Sequence, residues 1–121
     1  MDTRAGRAVL PACFGMNLVD NERMTMSQLT IVAKIVAKKE SVESVRSELL
    51  KMIAPTRNED GCIEYRLHRD NADPALFIFY ENWESAACLE KHIQSDHYKA
   101  YVRAVDGLLE EKVVHKMTLV E

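Results

Sequence analysis

From Leu29 onward the chain carries a clear alternation of apolar and polar positions that divides it into strands and helices. In Leu29–Ala37, residues Leu29, Ile31, Ala33, Ile35 and Ala37 share one face, and Thr30, Val32, Lys34 and Val36 the other, as a strand requires. Val42, Val45, Leu49, Met52, Ile53 and Thr56 then recur at helical spacing, which predicts a helix over 41–58 with Ser41 as N-cap. Pro55 has no N–H for the carbonyl one turn back, so the last turn is expected to kink or loosen. Cys62–Arg69 alternates again, with Ile63, Tyr65 and Leu67 on one face and Glu64, Arg66 and His68 on the other. The turn signal Asn71-Ala72-Asp73-Pro74 joins it in a hairpin to a third strand, Ala75–Trp83. Ser85 is placed to cap a helix from Ala86 to about Gln94. Asp96 is placed to cap another, whose stripe is Tyr98, Tyr101, Val102, Val105 and Leu109. Lys112–Val120 reads as the fourth strand.

The order β-α-β-β-α-β, with its second helical region in two pieces, predicts a ferredoxin-like α+β domain. The sheet is then antiparallel, in the order 4-1-3-2, with the helices on one face. Strand three is apolar on both sides: Phe77, Phe79, Glu81 and Trp83 face one way, and Leu76, Ile78, Tyr80 and Asn82 the other. Helices cover only one side, so the other calls for a second cover. A homodimer packed sheet to sheet is the economical solution, with folding back of residues 1–26 as the competing one.

Composition narrows the function. A chain of 121 residues with one core, 47% hydrophobic and 29% charged, has no room for a separate cofactor domain. The formal charge of −3 with mixed signs and no basic run argues against nucleic-acid binding. No apolar run is long enough to cross a bilayer. The segment Ala8–Val19 follows Arg4 and Arg7, but Pro11, Gly15 and Asn17 interrupt it, so residues 1–26 read as an extension or an upstream mis-start and 27–121 as the domain. Cys13, Cys62 and Cys88 are odd in number and irregularly spaced, which suggests small buried thiols in a reducing, cytoplasmic setting. Neither CxxC nor HExxH is present, and no metal site is expected.

Several stretches carry a family likeness. Pro55-Thr56-Arg57-Asn58-Glu59-Asp60-Gly61-Cys62-Ile63-Glu64-Tyr65 resembles the signature PTRxExGCxxY. Asp73-Pro74, Phe77 and Tyr80-Glu81-Asn82-Trp83 resemble DPxxFxxxExW, and Leu89-Glu90-Lys91-His92 with Ser95-Asp96-His97-Tyr98 resembles LxxHxxSxHF. In this order and spacing they resemble the antibiotic-biosynthesis-monooxygenase superfamily, with small quinol-monooxygenase-like proteins as the nearest subgroup. The resemblance implies a dimeric α+β barrel of ferredoxin-like domains. It also implies a monooxygenase without flavin, haem or metal, in which a quinol or anthrone is deprotonated and its carbanion reduces dioxygen.

The superfamily also holds isomerases and haem-degrading enzymes, so fold membership alone does not settle the chemistry. An isomerase or other proton-transfer enzyme on a small keto or phosphorylated compound remains open, with Arg57 or Arg66 binding the anion. So does a non-catalytic ligand-binding dimer. Haem degradation fits poorly, because strand one has no asparagine.

Cofactor-free oxygenation needs an apolar cavity, a base and oxyanion donors. With the resemblance, His92 is the first candidate for the base and Glu81 the group that orients it or binds a substrate hydroxyl. Trp83 and Phe79 share the strand face of Glu81 and offer aromatic walls. Tyr65 is a candidate oxyanion donor. His97 is a second-tier candidate that would otherwise cap a helix. Without the resemblance, each has an ordinary reading as core, capping or surface residue.

Overall fold

The computed structural model describes residues 28–121. The expected extension over 1–26, and Cys13 within it, lie outside the described residues. Among those described, Cys62 is a free thiol and Cys88 has a bonding partner, so the expectation of unpaired thiols holds for Cys62.

Strand β1 (Leu29–Ala37) is followed by a 3-10 turn at Lys39–Ser41 and by helices α1 (Val42–Lys51) and α2 (Ile53–Arg57). Then come β2 (Cys62–Arg69), β3 (Leu76–Trp83), α3 (Ala86–Ile93), α4 (Asp96–Ala104) and β4 (Leu109–Met117). The sheet order is β2-β3-β1-β4, with every neighbouring pair antiparallel. This is the ferredoxin-like arrangement the alternation predicts.

The faces of β1 and β3 sort as expected. Ile31, Ala33, Ile35 and Ala37 are buried together with Phe77, Phe79, Glu81 and Trp83. Val45 and Leu49 of α1, each 0% exposed, pack into the same core as these strands. Burying a side chain of this size is worth about 1.5–3 kcal/mol. On the opposite face Leu76 and Ile78 are half-buried and Tyr80 is exposed.

Four boundaries differ from the sequence reading. The first long helix is broken at Met52, where Pro55 has no N–H to offer the carbonyl of Lys51. A register shift between Cys62 and Glu64 leaves Ile63 as the extra residue of a β-bulge. Ile63 is therefore 40% exposed rather than aligned with Tyr65 and Leu67, and Cys62 takes the core side opposite Trp83. Ser95, not Asp96, caps α4, accepting from the N–H of Tyr98. Finally, Gly107 at φ 80° ends the helical region, so Leu109 opens β4 instead of extending the α4 stripe. Strand β4 thus starts and stops three residues early, and 118–121 lie beyond it.

Candidate active site

A cavity of about 220 Å³ lies between the helical layer and the sheet. Ile31, Ala33 and Ile35 of β1 form its floor with Tyr65 and Phe79, and Leu89, His92 and Ile93 of α3 and Tyr98 and Tyr101 of α4 form its roof. Lys112, Val114 and Lys116 form its outer side on β4, where Val114 is 44% exposed. Glu81 is the acidic group on its wall.

Strand alternation sets Tyr65, Phe79 and Glu81 on this wall. Tyr65 pairs with Glu81 across β2 and β3, and its ring stacks on Phe79 at 4.5 Å between centroids. Ser85 starts α3 by accepting from the N–H of Cys88, and the helix carries Leu89 and His92 inward on adjacent turns. His92 is 2% exposed. It sits among aromatic rings, with centroids at 4.9 Å from Trp83, 5.1 Å from Tyr98 and 5.8 Å from Tyr65.

The partner of His92 is Glu59, a residue in the turn between α2 and β2 that the sequence reading did not single out. Glu59 Oε2 lies 2.7 Å from His92 Nδ1 and 2.6 Å from His97 Nε2. An ionised carboxylate can only accept, so this arrangement puts a hydrogen on both of those nitrogens. His92 Nε2 is then the unprotonated nitrogen of a ring that lines the cavity. Ser95 Oγ donates to the carbonyl of His92 at 2.6 Å and lies 3.3 Å from His97 Nε2, tying the α3–α4 junction to the cluster.

Glu81 has a different partner from the one expected. It does not orient His92; its Oε1 accepts from Trp83 Nε1 at 2.8 Å. Burial raises its pKa to about 7, the Trp83 hydrogen bond opposing and Glu59 adding to the rise. Burial likewise pushes the Tyr65 hydroxyl well above its ordinary value and lowers His92 against the pull of Glu59. The Cys62 thiol is pushed up to about 12, mainly by burial, so it is no nucleophile at neutral pH.

Of the residues singled out from sequence, His92, Glu81, Tyr65 and Phe79 converge on the cavity. Trp83 and His97 do not. Trp83 is 0% exposed, donates to Glu81, and is not among the residues lining the cavity, where the sequence expectation sets it as an aromatic wall. His97 sits outside the cavity lining, on Glu59. Arg57 is committed to the carbonyl of Tyr65 at 2.8 Å, and Arg66 pairs with Glu64 at 2.9 Å. Neither arginine reaches the cavity.

A buried imidazole held by a carboxylate on an apolar hollow, within this fold, is the arrangement the motifs foreshadow. The family profile described as antibiotic biosynthesis monooxygenase matches residues 28–104. The chain belongs to the antibiotic biosynthesis monooxygenase family. Within that family it is similar to YgiN of Escherichia coli K12, called a probable quinol monooxygenase. The two are 33% identical over 89 residues, covering 65% of this chain and 86% of YgiN. Among solved structures, PA3566 of Pseudomonas aeruginosa superposes with a TM-score of 0.76 at 33% identity, covering 78% of this chain and 96% of that one. Rv0793 of Mycobacterium tuberculosis gives 0.74 at 28% identity, covering 78% and 97%. The family name supplies the broad activity, a monooxygenase acting on a small molecule. No helix among the described residues is long and apolar enough to cross a membrane.

Proposed function

We propose that this protein is a cofactor-independent monooxygenase that oxidises a quinol- or anthrone-like aromatic with dioxygen, and that His92 is its general base. The observation that carries the reading is the Glu59–His92 contact of 2.7 Å on the wall of an apolar cavity. It holds one ring nitrogen and leaves the other for a substrate proton. The deprotonated substrate passes electrons to dioxygen, one oxygen atom enters the ring system as a carbonyl, and the other leaves as water. Glu81 and Tyr65 bind the substrate hydroxyl and the developing oxyanion, and Phe79 forms an aromatic wall. The apolar lining limits reprotonation of the carbanion by water. A cavity of about 220 Å³ is below the roughly 300–1,000 Å³ of sites for drug-sized ligands, which favours one- and two-ring quinols over the three-ring anthrones.

We further infer a homodimer through the open sheet face. Half-buried Leu76 and Ile78 and exposed Tyr80 support it, since an apolar sheet face of this kind needs a cover. Residues 1–26 are then an extension to the catalytic domain. The isomerase reading loses its anion-binding arginines, because Arg57 and Arg66 are engaged elsewhere.

The test is oxygen uptake by metal-free protein with a panel of quinols and anthrones. Uptake no faster than uncatalysed autoxidation refutes the reading. Turnover that does not consume oxygen points instead to proton transfer. A ligand bound in the cavity without any turnover points to a binding protein.

A further inference from the structure

We propose that Glu59, His92 and His97 form a binding site for a divalent transition-metal ion of the zinc class, and that occupancy silences the base. Their three donor atoms, His92 Nδ1, His97 Nε2 and Glu59 Oε2, all lie within 4.8 Å of one another. Two imidazole nitrogens and one carboxylate oxygen are a set that suits zinc, cobalt, nickel or copper. Magnesium and calcium prefer oxygen-rich shells and fit poorly. Three protein donors leave a further position for water.

The geometry needs a rearrangement of side chains only. Zinc binds such donors at about 2.0–2.2 Å, so neighbouring donors of a tetrahedral site stand roughly 3.3 Å apart. The nitrogen-to-oxygen separations are now 2.7 and 2.6 Å, because hydrogens occupy the gaps. To admit the ion the two nitrogen-to-oxygen gaps open by about 0.6–0.7 Å, and the two nitrogens, which lie within 4.8 Å of each other, close toward roughly 3.3 Å. Glu59 can supply it, since it lies in the 58–61 turn outside any helix or strand. Solvent reaches the cluster from the side of His97, whose side chain is 24% exposed against 3% for His92. Ser95 Oγ, bonded to the His92 carbonyl and 3.3 Å from His97 Nε2, braces the outer side.

The consequence for chemistry follows from the imidazole itself. A metal on Nδ1 takes the lone pair that the hydrogen now occupies. The neutral ring then keeps its hydrogen on Nε2, the nitrogen assigned to the substrate. His92 changes from acceptor to donor and cannot take the substrate proton. This second half rests on the proposed role of His92; the binding site does not.

Titration calorimetry of the metal-free full chain with zinc chloride tests the site. One ion per chain is expected, with binding at least tenfold weaker in Glu59→Gln and in His97→Ala. His115→Ala, on exposed β4, should bind as the wild type does, and magnesium chloride should give no binding. Circular dichroism checks each fold, and the part-exposed His97 keeps the test usable if Glu59→Gln misfolds. The visible bands of bound cobalt provide a second readout. No zinc binding, or binding indifferent to His97→Ala, overturns the site.

For the silencing, zinc should halt quinol-dependent oxygen uptake with the midpoint of the binding curve, and a chelator should restore it. Zinc suits this assay because it has no redox chemistry of its own. Uptake that continues with the site filled overturns the silencing. Absence of uptake in metal-free protein refutes the proposed activity, and the silencing with it, while calorimetry still decides the site.

Discussion

Replacing Glu81 by Gln should make the protein more stable, and by an amount that depends on pH. Glu81 is 5% exposed, and burial holds its carboxyl at about 7 against an ordinary 4.5. Below the ordinary value both folded and unfolded chains carry the proton, and the group contributes no difference. As pH rises from there toward 7, the unfolded chain releases its proton while the folded chain retains it, so folding is progressively disfavoured. Above about 7 the folded chain ionises too and the cost levels off. A rise from 4.5 to about 7, at about 1.4 kcal/mol per tenfold change, amounts to about 3 kcal/mol at most. Gln keeps an oxygen to accept from Trp83 Nε1 but has no charge to bury. The stability of Glu81→Gln relative to wild type should therefore improve by about 2–3 kcal/mol between pH 5 and pH 8. Urea unfolding at fixed protein concentration measures it, with Trp83, the single tryptophan, as fluorophore. Parallel stability curves at the two pH values would refute the premise that this carboxyl is held neutral by its surroundings.

Three further outcomes are expected. His92→Ala should lower the rate of quinol oxidation by about 10²–10⁴-fold with the fold intact, read with an oxygen electrode. Gly107→Ala should destabilise the domain by about 1–2 kcal/mol in thermal unfolding, because φ is 80° there. No atom lies within 4 Å of the added Cβ, so the cost is one of backbone conformation alone. Ile78→Lys places a charge on the open sheet face and should convert a dimer to monomer in analytical ultracentrifugation; a wild-type chain that already sediments as a monomer removes the dimer proposal.

The legible parts of the structure are those where a single period ran undisturbed. Strands β1 and β3 sort by alternation, and the pattern alone orders the sheet. Ile63 was misread because Ile63, Tyr65 and Leu67 keep a perfect alternation through a bulge that has no local residue signal. The end of α4 differs because Leu109 continues the apolar stripe past Gly107, a helix stop that the stripe alone does not register. Glu59 was missed for a different reason. It is 33 residues from His92 and 38 from His97, and no spacing rule joins them. The available signal was the acid inside the Pro55–Cys62 stretch, a short segment with no apolar period to explain it. Trp83 and Glu81 were correctly set on one strand face, but alternation does not tell which side chain ends at a cavity and which behind it.

What the cavity does to its titratable groups bears on how it would work. Burial acts in one direction on the three inner ones: it raises Glu81 and Tyr65 and lowers His92, so each is pushed toward its uncharged form, while Lys112 and Lys116 stand on the outer side. The inner end of the empty cavity thus carries little charge, and charge develops there when a substrate proton moves to His92. The product of that step is an imidazolium beside a substrate anion, and the pair is favoured over either charge alone because Glu59 stands 2.7 Å behind the imidazolium. The same surroundings that make the anion costly leave it few ways to discharge. An apolar lining offers water few partners, and a Tyr65 hydroxyl held neutral donates a hydrogen bond without surrendering its proton. Transfer of electrons to an apolar, uncharged oxidant such as dioxygen is the remaining outlet. On this reading the oxygenase chemistry follows from keeping the inner cavity uncharged and apolar, and a substitution that admits water, such as Leu89→Ser on its roof, should lower oxygen uptake while leaving proton exchange at the substrate carbon intact.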